Sequence, residues 1–163
     1  MNGLIKTREV IDAAVSIEEN GYAFYKSVEG AIDDKDVKEV FSFLAGEENR
    51  HIVAFKKIYD EIGDSEDTVI DDEDSSEYIK ALAEKNVFTK KDAVNDLVKN
   101  INTPFDAINL ALNFERDSIL FFNEIKNFVS QDNQDLINKL IKEEHDHIVK
   151  LHKLENQLKQ ERV

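Results

Sequence analysis

The sequence predicts an all-α fold, an antiparallel four-helix bundle with one long crossover between its second and third helices. Three observations predict it. The 163 residues include one Pro and five Gly, a composition that favours long uninterrupted helices over turn-rich β structure. Apolar residues recur at steps of three and four along four long segments, the period of a helix with one buried face. The first and third connections between those segments are short and the middle one is long, so the segments pair as two hairpins.

The first helix is expected over Thr7–Glu29, with Ile11, Ala14, Val15, Tyr25 and Val28 on its apolar stripe. The second is expected over Asp34–Ile62, with Val37, Phe41, Leu44, Phe55, Ile58 and Ile62 facing inward and Gly63 as its C-terminal cap. Thr103 is the expected N-cap of the third, with Pro104 at the first helical position and Asp106 three residues after the cap. That helix carries Ile108, Ala111, Phe122, Ile125 and Val129. The fourth follows the polar break SQDNQD and uses Ile137, Leu140, Leu151, Leu154 and Leu158. Gly30–Asp33 and Ser130–Asn133 are the short connections. Residues 64–102 form the crossover within a single domain spanning 1–163: an acidic stretch from Asp64 to Glu77, then two short helical patterns near Tyr78–Glu84 and Lys90–Asn100. A connection with its own helices can run the length of such a bundle, roughly 30–40 Å at 1.5 Å per residue. The acidic stretch reads as a mobile solvated loop, with a cation-attracting surface as the alternative.

Composition narrows the function. With 41% hydrophobic residues the chain can build a sizeable core. It has no cysteine, which excludes disulfides, thiolate catalysis and iron–sulfur ligation by this chain. No stretch approaches the length of a membrane span and the N-terminus has no apolar signal core, so a cytoplasmic location is expected. A net charge of −14 argues against nucleic acid as a partner and favours cations.

One motif occurs twice. Residues 47–58 read EENRHIVAFKKI and residues 143–154 read EEHDHIVKLHKL. Each contains Glu-x-x-His, Glu48 with His51 and Glu144 with His147, which places a carboxylate and an imidazole side by side on one helix face. Upstream, residues 14–25 (AVSIEENGYAFY) pair with residues 111–122 (ALNFERDSILFF), setting Glu18 opposite Glu115. All six residues interrupt apolar stripes near the middle of their helices, so each helix turns its polar exceptions inward. This pattern resembles the di-metal carboxylate set of ferritin-like bundles.

Four converging carboxylates must be paired, protonated or metal-bound. Two divalent ions cancel four negative charges and leave two neutral imidazoles as nitrogen donors, so the charge balance closes for two metals and not for one. Carboxylates with a few imidazoles suit iron or manganese, and zinc is a further substitute. Other polar residues lie elsewhere on the helices. His145 and His152 are expected in solvent. Glu19, Glu47 and Glu143 point about 100° away from the ligands, as surface groups or as hydrogen-bond partners of those ligands. Tyr25, two turns beyond Glu18, either packs or hydrogen-bonds to a ligand.

With Glu18 and Tyr25, EENRH, FERDSILFF and KEEHDH in the four long helices, the chain resembles the rubrerythrin branch of the ferritin-like superfamily over most of its length. The resemblance implies a non-haem di-iron centre. In it Glu48 and Glu144 bridge, His51 and His147 bind separate irons, and Glu18 and Glu115 are terminal ligands. Two departures matter. Ser118 stands where rubrerythrins carry a second helix-3 glutamate, and a rubredoxin-like iron–cysteine domain is impossible without cysteine.

The expected function is that of an oxidoreductase active in oxidative stress, reducing peroxide or dioxygen at the di-iron centre. Its electrons would come from an external rubredoxin-like or flavoprotein donor, because the chain has no nucleotide-binding motif of its own. A homodimer is the expected assembly. Two alternatives remain at this stage: iron oxidation and sequestration, and a non-catalytic metal-stabilised interaction module.

Overall fold

A computed structural model describes residues 5–85 and 91–162. Among the described residues six α-helices follow one another: α1 Thr7–Ala31, α2 Lys35–Glu61, α3 Glu73–Lys85, α4 Lys91–Lys99, α5 Pro104–Ile125 and α6 Gln131–Glu161. The four long ones, α1, α2, α5 and α6, are the four expected from the apolar stripes. They pack as two hairpins, α1 on α2 and α5 on α6, which meet through α1 against α5 and α2 against α6. Among the described residues no helix is long and apolar enough to cross a membrane.

Local chemistry sets the helix ends. Asp34 caps α2, its side chain accepting from Val37 N at 3.0 Å. Thr103 caps α5 in a reciprocal box: its hydroxyl accepts from Asp106 N while the Asp106 carboxylate accepts from Thr103 N at 2.8 Å. Ser130 caps α6, accepting from Asn133 N. Because Ser130 is itself the cap, α6 starts inside the polar break, earlier than expected. A 3₁₀ turn over Lys126–Phe128 tightens the end of α5 before it. Gly30 likewise lies within α1, which shortens that connection to residues 32–34.

Gly63 is a correction. The C-cap of α2 is Ile62 in extended conformation, and no described glycine has positive φ. Gly63 instead opens a turn, its carbonyl accepting from Glu66 N and Asp67 N at 2.9 Å each.

The crossover differs from a plain solvated loop. Its acidic residues are partly consumed as helix-start chemistry. Asp72 accepts from Ser75 N at 3.2 Å, and Glu73 and Asp74 occupy the first turn of α3, where negative charge meets the positive end of the helix dipole. Thr68–Ile70 pairs with residues 5–7 at the start of α1: Thr7 N donates to Thr68 O at 3.1 Å and Ile70 N to Ile5 O at 3.0 Å. α3 then packs on α5 and α4 on α1. The expected pattern near Lys90–Asn100 corresponds to α4, and Lys90 itself lies outside the described residues.

The stripes meet in a core dense in aromatic rings. Phe24, Tyr25, Phe41, Phe55, Phe114, Phe121 and Phe122 are all fully buried, each contributing on the order of 1.5–3 kcal/mol by removal from water. Tyr25 packs edge-on against Phe41 and Phe114 at centroid distances of 5.4 and 6.0 Å. Within this apolar frame sits a compact polar layer.

Candidate metal centre

The helices bring all six motif residues to that layer. Glu18, Glu48, His51, Glu115 and Glu144 have no exposed surface, and His147 is 3% exposed. Each comes from the centre of its helix, where burial on all sides removes water as a partner.

Two clusters form, and they share members. His51 Nδ1 lies 2.7 Å from Glu144 Oε1, 3.1 Å from Glu18 Oε2 and 3.7 Å from Glu48 Oε2. His147 Nδ1 lies 3.0 Å from Glu144 Oε2, 3.4 Å from Glu115 Oε1 and 3.6 Å from Glu48 Oε1. Glu48 and Glu144 therefore each turn one oxygen to either histidine, while Glu18 and Glu115 serve one each. In both four-residue groups the donor atoms lie within 4.8 Å of one another, a spacing that could hold a metal ion. The two imidazoles stack, with centroids 5.6 Å apart and planes inclined by 15°.

The donors fit two divalent cations. Both oxygens of Glu48, together with Glu18 Oε1 and Glu115 Oε2, are buried without a hydrogen-bond partner. Orphaned buried oxygens are costly unless another positive partner faces them, and these converge on one small space from three helices.

Electrostatics without metal reflects the same strain. Burial, then the charges of Glu48 and Glu144, pushes Glu18 well above the usual carboxylate range. Burial followed by Glu144 raises Glu115 to about 8. Burial alone would lower both imidazoles. Hydrogen bonds to Glu144, Glu18 and Glu48 outweigh it and hold His51 strongly protonated, and Glu115 and Glu144 bring His147 up to about 11. Glu144 also feels burial and Glu48 pushing it up, yet its contacts with Glu115, His147 and His51 take it below its ordinary value.

The surrounding shell resolves what the sequence left open. The Tyr25 hydroxyl donates to Glu115 Oε1 at 2.5 Å, so this residue both packs and bonds. Glu143, the first glutamate of the second motif, accepts from His51 Nε2 at 3.0 Å, on the helix opposite. Glu47, its counterpart in the first motif, stands 4.0 Å from His147 Nε2. Carboxylates behind a ligating imidazole fix its orientation and tautomer. Glu19 instead pairs with Lys56 at the surface, and His145 and His152 are exposed. Ser118 is fully buried one turn beyond Glu115, with no hydrogen-bond partner for its hydroxyl.

Comparison with known proteins agrees with this geometry. Among curated proteins none matches the chain. A crystal structure of a candidate ferritin-like diiron-carboxylate protein from Thermotoga maritima shares the fold, with a TM-score of 0.68 and 23% identity over 96% of this chain and 98% of that one. The family model for rubrerythrin matches residues 9–155, which include all four long helices and all six converging residues, so the chain belongs to the rubrerythrin family.

Proposed function

We propose that this protein is a non-haem di-iron oxidoreductase that reduces peroxide or dioxygen and is re-reduced by a separate donor protein. The observation that carries the reading is the shared pair: Glu48 and Glu144 each offer one oxygen to a His51 cluster and one to a His147 cluster. Two redox-active ions shared by these two carboxylates would supply a two-electron unit. Glu48 and Glu144 would bridge, Glu18 with His51 would complete one ion's ligands, and Glu115 with His147 the other's. When bound in the ferrous state, the iron pair supplies two electrons, which with two protons convert one hydrogen peroxide to two waters.

The chain's own groups hold and orient the ligands. Glu143 accepts the His51 Nε2 proton and so turns Nδ1 toward the carboxylates. Tyr25 fixes Glu115 by donating to Oε1. The aromatic frame around Tyr25 excludes water from that side. The sequence has no recognisable flavin- or nicotinamide-binding motif and no cysteine to bind iron, so in this reading electrons for a second turnover come from a rubredoxin-like or flavoprotein partner.

Stopped-flow mixing of anaerobically iron-loaded protein with excess peroxide tests the reading. The expected result is a burst of one peroxide per iron pair, then a stall that only an added donor protein relieves. A fully loaded protein that leaves peroxide untouched would overturn it. Iron retained well beyond two ions per chain after aerobic loading would instead favour iron oxidation and storage.

A further inference from the structure

The glutamates that open the two motifs build a second polar layer outside the ligands. The Arg50 guanidinium joins them, in close contact with Glu47 and 3.3 Å from Glu143 Oε2. This layer meets solvent. The Arg50 side chain is 55% exposed, Glu47 19% and Glu143 21%, whereas the four inner carboxylates have no exposure at all. A cavity of about 380 Å³ opens here, lined by Phe43, Glu47, Glu143, Asp146 and His147 among others. His147 is almost wholly buried, and among the described residues its Nε2 has no hydrogen-bond partner, the nearest carboxylate oxygen standing at 4.0 Å on the cavity side. A donor set of Glu47, His51 and His147 lies within 4.8 Å.

We propose that Glu47, Glu143 and the Nε2 edge of His147 form an outer transit site for a divalent cation entering the buried centre, and that Arg50 is its latch. The proposal rests on reading the six inner residues as metal ligands. Two carboxylates and an imidazole edge are donors that first-row divalent ions accept. Arg50 carries a permanent positive charge between the same two carboxylates, so guanidinium and cation compete for one place. An exposed ion pair of this kind is weak and reversible, which suits a latch better than a seal. A cation drawing on Glu143 also takes that carboxylate from His51 Nε2. His51 then keeps only its Nδ1 contacts with Glu144 and Glu18 while the ion passes inward. When Arg50 returns, Glu143 is restored to His51 and the ligand is locked.

The test follows Co(II) uptake by metal-free, full-length protein under anaerobic stopped flow, read by the visible absorption of bound cobalt, with titration for the endpoint. Arg50→Gln should load, and release to a chelator, about tenfold faster than the unaltered protein, with the two-ion endpoint kept. Adding Glu47→Gln to Arg50→Gln should slow loading again. Lys150→Gln removes a positive charge from the same cavity, where Lys150 lies over the Phe43 ring rather than on either glutamate, and should load at the original rate. Should Arg50→Gln fail to fold by circular dichroism, Arg50→Lys, whose single ammonium cannot span both carboxylates, should still load several-fold faster. An Arg50→Gln rate equal to the original, or an equal acceleration by Lys150→Gln, overturns the latch while leaving the centre intact. No cobalt uptake by the unaltered protein overturns the centre, and the transit site with it.

Discussion

Tyr25 and Glu115, ninety positions apart in the chain, are joined by a buried hydrogen bond of 2.5 Å from the phenol to Oε1. The bond breaks the symmetry of the duplicated halves. In the alignment of residues 14–25 with 111–122, Tyr25 falls opposite Phe122, which has no hydroxyl to offer Glu18. Tyr25→Phe keeps the rings packed on Phe24, Phe41 and Phe114 and deletes only the donor. Losing a hydrogen bond to a ligand carboxylate should weaken divalent-ion binding at pH 7 by roughly tenfold or more, with the deficit shrinking as pH rises. Chelator competition with Co(II) at pH 6, 7 and 8 measures this. An affinity unchanged at all three would mean the phenol serves packing alone.

Proton release should accompany metal binding. Glu115, raised to about 8, holds its proton at pH 7, burial and the charges of Glu48 and Glu144 push Glu18 well above the usual carboxylate range, and His51 and His147 are held protonated by the carboxylates beside them. Loading should therefore release about three protons per ion pair near neutrality from Glu115, His51 and His147, and a fourth wherever Glu18 is protonated, four being the charge of two divalent ions. A pH indicator in weakly buffered solution counts them, and fewer than about two would contradict the assignment. The same shifts fix how metal-free stability varies. All four groups bind protons more tightly folded than unfolded. Their stabilisation is complete below the unfolded values of 4.5 and 6.5 and is lost as pH rises, through about 8 for Glu115 and about 11 for His147. Chelated protein should therefore melt at lower temperature as pH climbs from 5 to 8. Glu18→Gln, which fixes the uncharged form, should flatten that decline. Glu144→Gln, which removes the main acceptor of both imidazoles, should lower the melting temperature throughout.

Gly21 sets the depth of the aromatic frame. A Cβ built there would lie 2.3 Å from Phe114 Cζ and 2.7 Å from Cε1, inside any tolerable contact. Gly21→Ala gains helix propensity of about 1 kcal/mol but overpacks a core site, at about 1–3 kcal/mol. The ring that must yield precedes Glu115. We expect a net loss of stability, roughly 2–4 °C per kcal/mol at this chain length, together with weaker metal binding. Gly46, exposed in mid-helix with nothing within 4 Å, supplies the contrast: Gly46→Ala should stabilise by about 0.5–1 kcal/mol. A destabilised Gly46→Ala, or a stabilised Gly21→Ala, would contradict this account.

The bundle was legible because periodicity alone shows which face of each helix turns inward, and Glu18, Glu48, His51, Glu115, Glu144 and His147 stood out as polar residues on apolar stripes. Glu47 and Glu143 were harder to place. Their direction, about 100° from Glu48 and Glu144, is readable, but what they meet depends on which helix lies opposite, a tertiary fact that no local pattern encodes. Arg50 was hidden for the same reason. The acidic crossover was legible in part: the residues from Asp72 to Asp74 are exposed as expected, but their negative charge also serves the first turn of a helix, which their composition alone does not reveal. Gly63 resembled a helix cap because glycine suits that position, but the chain leaves α2 through an extended Ile62 and needs no left-handed residue.

Each hairpin supplies three members of one donor cluster and lends a single carboxylate to the other, Glu144 to the cluster of Glu18, Glu48 and His51, and Glu48 to the cluster of Glu115, Glu144 and His147. An ion pair held in this way is a cross-link between the two ends of the chain. It closes a loop of nearly a hundred residues between Glu48 and Glu144, the kind of long-range tie whose closure most restricts the unfolded chain. In a protein without cysteine the ions would thus take the part a disulfide plays elsewhere, with metal supply rather than redox potential deciding whether the tie is made.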